Sequence, residues 1–248
     1  MKKDNISRRT FLKTGIAVGA GLYGLSYLSS FEKPRPLKTL KGNSLKKSLV
    51  VVHGDVDERN DESSVIKEIV RRGIEAIGGM DKLVSRGDNV VIKPNIAWDR
   101  RPEYAVNTNP FVVAALVGMC LEAGANRVKV FDHTCASNPD TSYTNSGIEM
   151  AAREAGAAVR YVNKELFKAI KIPNGKVLDS WPFYEDLIYQ DETDILINVP
   201  IAKQHSASRL SMALKNTLGM VGGNRGSLHK DIHPKIADLN KVVKVDLT

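Results

Sequence analysis

The chain has 248 residues, 42% hydrophobic and 26% charged, a balance that supports a folded core and excludes a disordered or fibrous chain. Its formal charge of +8 is misleading, because the first 48 residues alone carry +9 (Lys2, Lys3, Arg8, Arg9, Lys13, Lys33, Arg35, Lys38, Lys41, Lys46 and Lys47 against Asp4 and Glu32), leaving −1 for residues 49–248. A nucleic-acid-binding domain would carry its basic footprint on the fold itself, so no nucleic acid is expected as a partner.

Ser7-Arg8-Arg9-Thr10-Phe11-Leu12-Lys13 matches the twin-arginine export pattern S-R-R-x-F-L-K, and an apolar run over 15–28 follows it. That run is too short and Gly-rich for a good membrane span. Residues 1–30 therefore read as an export signal, 31–47 as a basic Pro/Lys linker, and 48–248 as the folded domain. Gly19 to Gly24 also satisfies G-x-G-x-x-G, but it lacks the preceding strand and the acidic residue that a dinucleotide fingerprint needs. No clean A-x-A site stands near Ser26, so cleavage and a retained membrane tether both stay open. The signal implies the twin-arginine translocase as a partner, a route that carries proteins already folded. It places the chain in the periplasm or on the outer face of the cytoplasmic membrane.

Further along, the β-branched run 49–52 reads as a buried strand ending at His53-Gly54. Val65, Ile66, Ile69, Val70, Ile74 and Ile77 fall at helical spacing, with Asp61 or Ser63 as cap and Gly78-Gly79 as stop. Residues 89–92 form a second strand, halted by Lys93-Pro94-Asn95. An apolar helix over Pro110–Glu122 and a third strand over 128–131, ending in Asp132-His133-Thr134, come next. A helix over 148–155, a strand over 159–162 and a hairpin turn at Pro173-Asn174-Gly175 follow. Ile195–Val199 reads as the most buried strand. A helix over 208–218 should then present Leu210, Ala213, Leu214 and Leu218 on one stripe, and a last helix spans 234–243. Strands alternating with helices predict an α/β domain, a mainly parallel sheet with helices on both faces. Residues 245–248 resemble the approach to a further strand, so the single domain is expected to be incomplete at its C-terminus.

In open α/β sheets ligands bind beyond the carboxyl ends of the strands. The polar residues there are His53, Lys93 and Asn95, Asp132 and His133, and Lys203 and His205. The bland alternatives are that His53 is a solvated loop residue, Lys93-Pro94-Asn95 a turn, and Lys215 and Asn216 the wet edge of a helix. As catalytic candidates we take Lys93, His133, Lys203 and His205, because imidazole titrates near neutrality and lysine supplies positive charge. Asn95, Asn198, Lys215, Asn216, Gly222, Gly223 and Arg225 are candidates for holding a ligand, the Gly-rich loop covering it with backbone N–H groups. Asp132, His133, His205 and His229 would suit a divalent metal by ligand type, although no spacing supports the set. Cys120 and Cys135 are too few for an iron–sulfur cluster within this chain, while a single bridge between them is conceivable.

I-K-P-N at 92–95, the Asp132 strand end, D-I-L-I-N-V-P-x-x-K-x-H at 194–205, A-L-K-N-x-x-G at 213–219 and I-A-D-L-N at 236–240 resemble the bacterial and archaeal family catalogued as domain of unknown function 362. The resemblance covers roughly residues 48–248. It implies an α/β domain, which in other members is sometimes accompanied by ferredoxin-like iron–sulfur modules. The family domain usually continues into another strand past the point where this chain stops, and its name supplies no reaction. The leading expectation is an exported protein that binds a small anionic ligand or a metal-bound cofactor at the strand ends, whether or not it is an enzyme. The alternatives are a non-catalytic redox accessory protein that docks an iron–sulfur partner, and a membrane-tethered binding module.

Overall fold

A computed structural model describes residues 49–54, 61–185 and 193–248; the export signal and the linker lie outside them. In chain order the elements are α1 (Glu62–Ile77), β1 (Asn89–Pro94), α2 (Pro110–Glu122), β2 (Arg127–Phe131), α3 (Pro139–Asn145), α4 (Ile148–Glu154), β3 (Ala158–Arg160), β4 (Phe167–Lys171), β5 (Ser180–Tyr184), β6 (Ile195–Val199), β7 (Lys203–His205), β8 (Arg209–Ser211), α5 (Ala213–Asn216) and α6 (Ile232–Leu239). Four strands form a parallel sheet in the order β3-β2-β1-β6, so β1 is central and pairs with both β2 and β6.

Alternation along the strands builds two cores. Val90, Ile92, Val128, Val130, Ile195 and Ile197 point to one face, where α1, α2 and α4 cover them through Ile74, Ile77, Val113, Leu116, Val117, Cys120, Ile148 and Ala152. Val91, Phe131 and Leu196 point to the other face, covered by the antiparallel β4–β5 hairpin and by α6 through Ile170, Phe183, Tyr184, Ile236 and Leu239. Each such side chain contributes about 1.5–3 kcal/mol on burial. The helices start where side chains cap them. Asp61 accepts from the Ser64 N–H at 3.0 Å, and Asn109 accepts from the Phe111 N–H at 2.8 Å with Pro110 at the first helical position. At the Pro173-Asn174-Gly175 turn, Asn174 takes a left-handed φ of 51°.

Three expectations need correction or completion. Residues 49–52 form no strand: Leu49 and Val51 are 79% and 87% exposed, while Val50 packs on the helical core. Val52 lies over Gly73 of α1, so the run lies against a helix instead of entering the sheet. The helix expected over 208–218 is also shortened from its start. His205 Nδ1 accepts from the Ala207 and Ser208 N–H groups at 3.1 and 3.2 Å, and Arg209 takes a φ of +63°, so the chain reverses into the β7–β8 hairpin. Helix begins only at Ala213, and Leu210 and Leu214 stay 53% and 59% exposed. Finally, residues 246–247 do approach the sheet: Asn198 N–H donates to Leu247 O at 2.8 Å, and Leu247 bridges Ile197 in parallel.

Candidate anion-binding site

Lys93 stands two residues past Val91, so the pleat turns it to the same inner face, in register with Asn198 of β6. Its side chain is fully buried. Nζ lies 2.7 Å from Asp132 Oδ1, donates to Pro94 O at 2.7 Å and reaches Asn216 Oδ1 at 3.2 Å. Burial pulls the ammonium below its ordinary value, and Asp132 opposes that pull. Asp132 is held from several sides. Its Oδ2 accepts from the Ile96 N–H at 2.6 Å, its backbone N–H donates to the Tyr143 hydroxyl at 2.7 Å, and that hydroxyl donates back to Asp132 O at 2.7 Å. Over this pair passes the backbone of Gly219. A Cβ there would fall 1.9 Å from Asp132 Oδ1 and 2.7 Å from Lys93 Nζ, so glycine lets the loop close on the ion pair.

Asn216, buried at the end of α5, joins the strands. Its Oδ1 accepts from Asn95 Nδ2 at 2.9 Å, and its Nδ2 donates to Asn198 Oδ1 at 2.8 Å. Lys203, the first residue of β7, donates to Asn95 Oδ1 at 2.8 Å and to Val106 O. Behind it, Thr108 Oγ1 accepts from the Asn95 N–H at 2.8 Å and donates to Val199 O at 2.6 Å. Arg225 closes the loop over the floor: one terminal nitrogen donates to His133 O at 2.6 Å and the other to Thr134 O at 2.7 Å.

The result is a cavity of about 880 Å³ beyond the carboxyl ends of β1 and β2. Its lining includes Lys93, Lys164, Lys203, Lys215 and Arg225 but, among the described residues, Asp132 as its one carboxylate. Lys93 already neutralises that carboxylate. Lys203 and Lys215 are half-buried, and burial lowers both ammonium groups from their ordinary value, the neighbouring Lys215 adding to the effect on Lys203. Lys215 has no hydrogen-bond or carboxylate partner among the described residues, and Cys135 is the neighbour that offsets its burial. A half-buried cation with no carboxylate partner gains from an anion that joins it.

The histidines differ in a way the backbone decides. His133 Nδ1 lies 2.8 Å from Val221 O, and a carbonyl only accepts, so Nδ1 carries the proton and Nε2 keeps its lone pair. His205 Nδ1 accepts from two N–H groups, so its proton is on Nε2. His229 Nδ1 lies 3.3 Å from Arg225 O, and its ring stacks on His205 with centroids 5.4 Å apart. Burial, then Arg225, lowers the His133 imidazole; burial, then Lys215, His229 and Lys203, lowers that of His205.

The cavity brings together Lys93, Asn95, Asp132, His133, Lys203, His205, Lys215, Asn216, Gly222, Gly223, Arg225 and His229. Asn198 is not among its walls: it lies behind Asn216 and lines a separate pocket, donating to Ala213 O at 3.1 Å. His53 ends no strand and lies on the exposed surface. The metal set does not assemble, for among the described residues no three or more His, Cys, Asp or Glu side chains are placed to hold an ion. Asp132 is committed to Lys93 and Ile96, and His205 has no free lone pair. The two cysteines are unbridged: Cys120 is buried against Met80, and Cys135 is exposed at the cavity. Sequence reasoning passed over Trp98, Lys164 and Phe167 as lining residues, and Gly219 as the residue of closest approach. The A-L-K-N-x-x-G spacing was the available signal for Gly219. The I-A-D-L-N segment serves elsewhere: Asp238 accepts from the N–H groups of Lys176, Val177 and Leu178, and Asn240 Nδ2 donates to Thr217 Oγ1 at 3.0 Å.

Comparison with known proteins gives a family profile described as "Domain of unknown function (DUF362)", matching residues 90–248, and a twin-arginine translocation signal matching residues 5–22. The chain is 26% identical over 170 residues to thylakoid-associated protein sll1697 of Synechocystis sp.. That alignment covers 65% of this chain and 48% of the relative, so the chain spans about half the relative's length. No solved structure matches. The signal indicates export through the twin-arginine translocase. Among the described residues no helix is long and apolar enough to cross a membrane.

Proposed function

The chain belongs to the domain of unknown function 362 family, and because that description carries no reaction, we propose from the cavity itself that the protein binds a small oxyanion, a carboxylate or phosphate, after export. The observation that carries this reading is the excess of cations, above all the half-buried Lys215 without a carboxylate partner among the described residues. Lys203 is oriented by Asn95 and Val106, and Lys215 stands close enough to perturb it, so the two form a preset cationic pair. The His205 Nε2–H adds a neutral donor beside them. Lys93 and Asp132 form the floor and hold the strand ends in place.

Calorimetric titration of the full-length chain with citrate and with pyrophosphate tests this. A hydrogen bond to a charged group is worth about 1.5–3 kcal/mol, so Lys203→Ala and Lys215→Ala should each weaken binding by roughly tenfold or more. Binding should also fall with added salt. Heat signals absent for both anions, or unchanged by either substitution in a folded protein, would refute the reading.

The site of action after export is the periplasm or a membrane face. The second is favoured by the exposed Leu210, Met212 and Leu214 beside the cavity wall, and by the relative's description as thylakoid-associated. Sedimentation of the native protein with washed membranes supports the membrane face, and recovery in the soluble exported fraction supports the other.

A further inference from the structure

The geometry points to a ligand that carries a hydroxyl as well as an anionic group: His133 Nε2 accepts the hydroxyl hydrogen while the His205 Nε2–H, with Lys203 and Lys215, holds the anion. This rests on the oxyanion reading and narrows it. Its basis is that the backbone fixes the two imidazoles in opposite tautomers. Val221 O can only accept, which puts the His133 proton on Nδ1. The Ala207 and Ser208 N–H groups can only donate, which puts the His205 proton on Nε2. In both rings the nitrogen left over, Nε2, has no partner among the described residues, and both rings line the same cavity.

The wall thus offers an acceptor at one place and donors at another. A plain carboxylate has only acceptors at neutral pH and would leave His133 Nε2 unmatched, whereas a phosphate that keeps one P–OH brings the hydroxyl itself. His133 is partly buried, and a polar atom that a ligand covers without a partner is what lets a site disfavour an analogue lacking one hydroxyl. An amine could also donate, but it would arrive as an ammonium among five cations and one carboxylate. A hydroxyl donates without adding positive charge. The charged groups acting on the His133 ring are Arg225, Asp132 and Lys164, and burial with Arg225 outweighs Asp132 to keep the imidazole neutral and able to accept.

Citrate and tricarballylate differ only in one hydroxyl, so they make the test on the full-length chain. Citrate is expected to bind roughly three- to tenfold more tightly, the worth of one net hydrogen bond. In His133→Asn the amide Nδ2 takes the place of Nδ1 against Val221 O and leaves nothing where Nε2 stood, so the ratio should fall to about one while tricarballylate binding is kept. Long-range proton–nitrogen NMR of the unsubstituted chain reads the tautomers without any ligand. Equal affinity for the two anions, a His133 proton on Nε2 or a His205 proton on Nδ1 would each overturn the inference. Failure of both anions to bind would instead remove the oxyanion reading beneath it.

Discussion

Replacing Lys93 by Met removes the ammonium from a fully buried position and leaves Asp132, only 3% exposed, with the Ile96 N–H as its remaining side-chain partner. At 2.7 Å and an effective dielectric near 20 the attraction between the pair is about 6 kcal/mol. Desolvating two ions costs several kcal/mol each, so the intact pair contributes little net stability. Breaking it is different, because the desolvation cost of Asp132 stays and the attraction goes, and this class of change costs about 3–5 kcal/mol. Urea unfolding followed by circular dichroism measures it: with a slope of about 2 kcal/mol/M, the Lys93→Met midpoint should fall by roughly 2 M. Adding Asp132→Asn should return most of the loss, since an amide has no charge to strand and can still accept from Ile96. A Lys93→Met midpoint within about 0.3 M of the original, or a double variant no more stable than the single one, would refute the claim that the pair is a coupled buried unit.

Gly219→Ala forces a methyl into a space bounded by Asp132 Oδ1 at 1.9 Å and Lys93 Nζ at 2.7 Å. Overpacking of this kind costs about 1–3 kcal/mol, and thermal unfolding should shift down by about 2–4 °C for each of them. Asp238 is held well below the usual carboxylate range, first by Lys241 and then by the N–H groups of Val177, Lys176 and Leu178. Because its folded value lies below its unfolded one, the stability it contributes is complete above the unfolded value of about 3.9 and is lost as pH falls below it. Asp238→Asn should therefore flatten the acid limb of stability against pH, and an unchanged limb would contradict the assignment. Thiol titration should find Cys135 reactive in the native chain and Cys120 only after denaturation, since Cys120 is fully buried and burial pushes its thiol up to about 12.

The parts of this fold legible in the sequence are those where one local rule decides. Ile195 to Val199 could only be a buried strand, and Asn109-Pro110 could only start a helix. The cavity residues were legible for a topological reason, since polar groups following buried strands converge at the carboxyl ends of a parallel sheet. What stayed hidden depends on pairing. Asn198 is diverted from the cavity by its register opposite Lys93, with Asn216 between them, and register is not written in either segment alone. Leu210 and Leu214 are spaced like a helical stripe, yet His205 captures the N–H groups of Ala207 and Ser208 and turns the chain first. The run 49–52 has strand composition, but composition does not say whether a run enters the ladder or lies on a helix.

Asn216 makes its bonds to Asn95 and Lys93 across 121 and 123 positions of chain. Closing a loop of that length costs on the order of 4 kcal/mol of chain entropy, so these contacts form late and only on a framework already in place. At a synthesis rate of about 5–20 residues per second, Lys93 waits roughly 6–25 s before Gly219 exists to cover it. The twin-arginine signal commits the finished fold, not the growing chain, to export. The floor is therefore sealed on the side of the membrane where the protein is made, and whatever the outer compartment supplies must enter a cavity whose charges were set before the crossing.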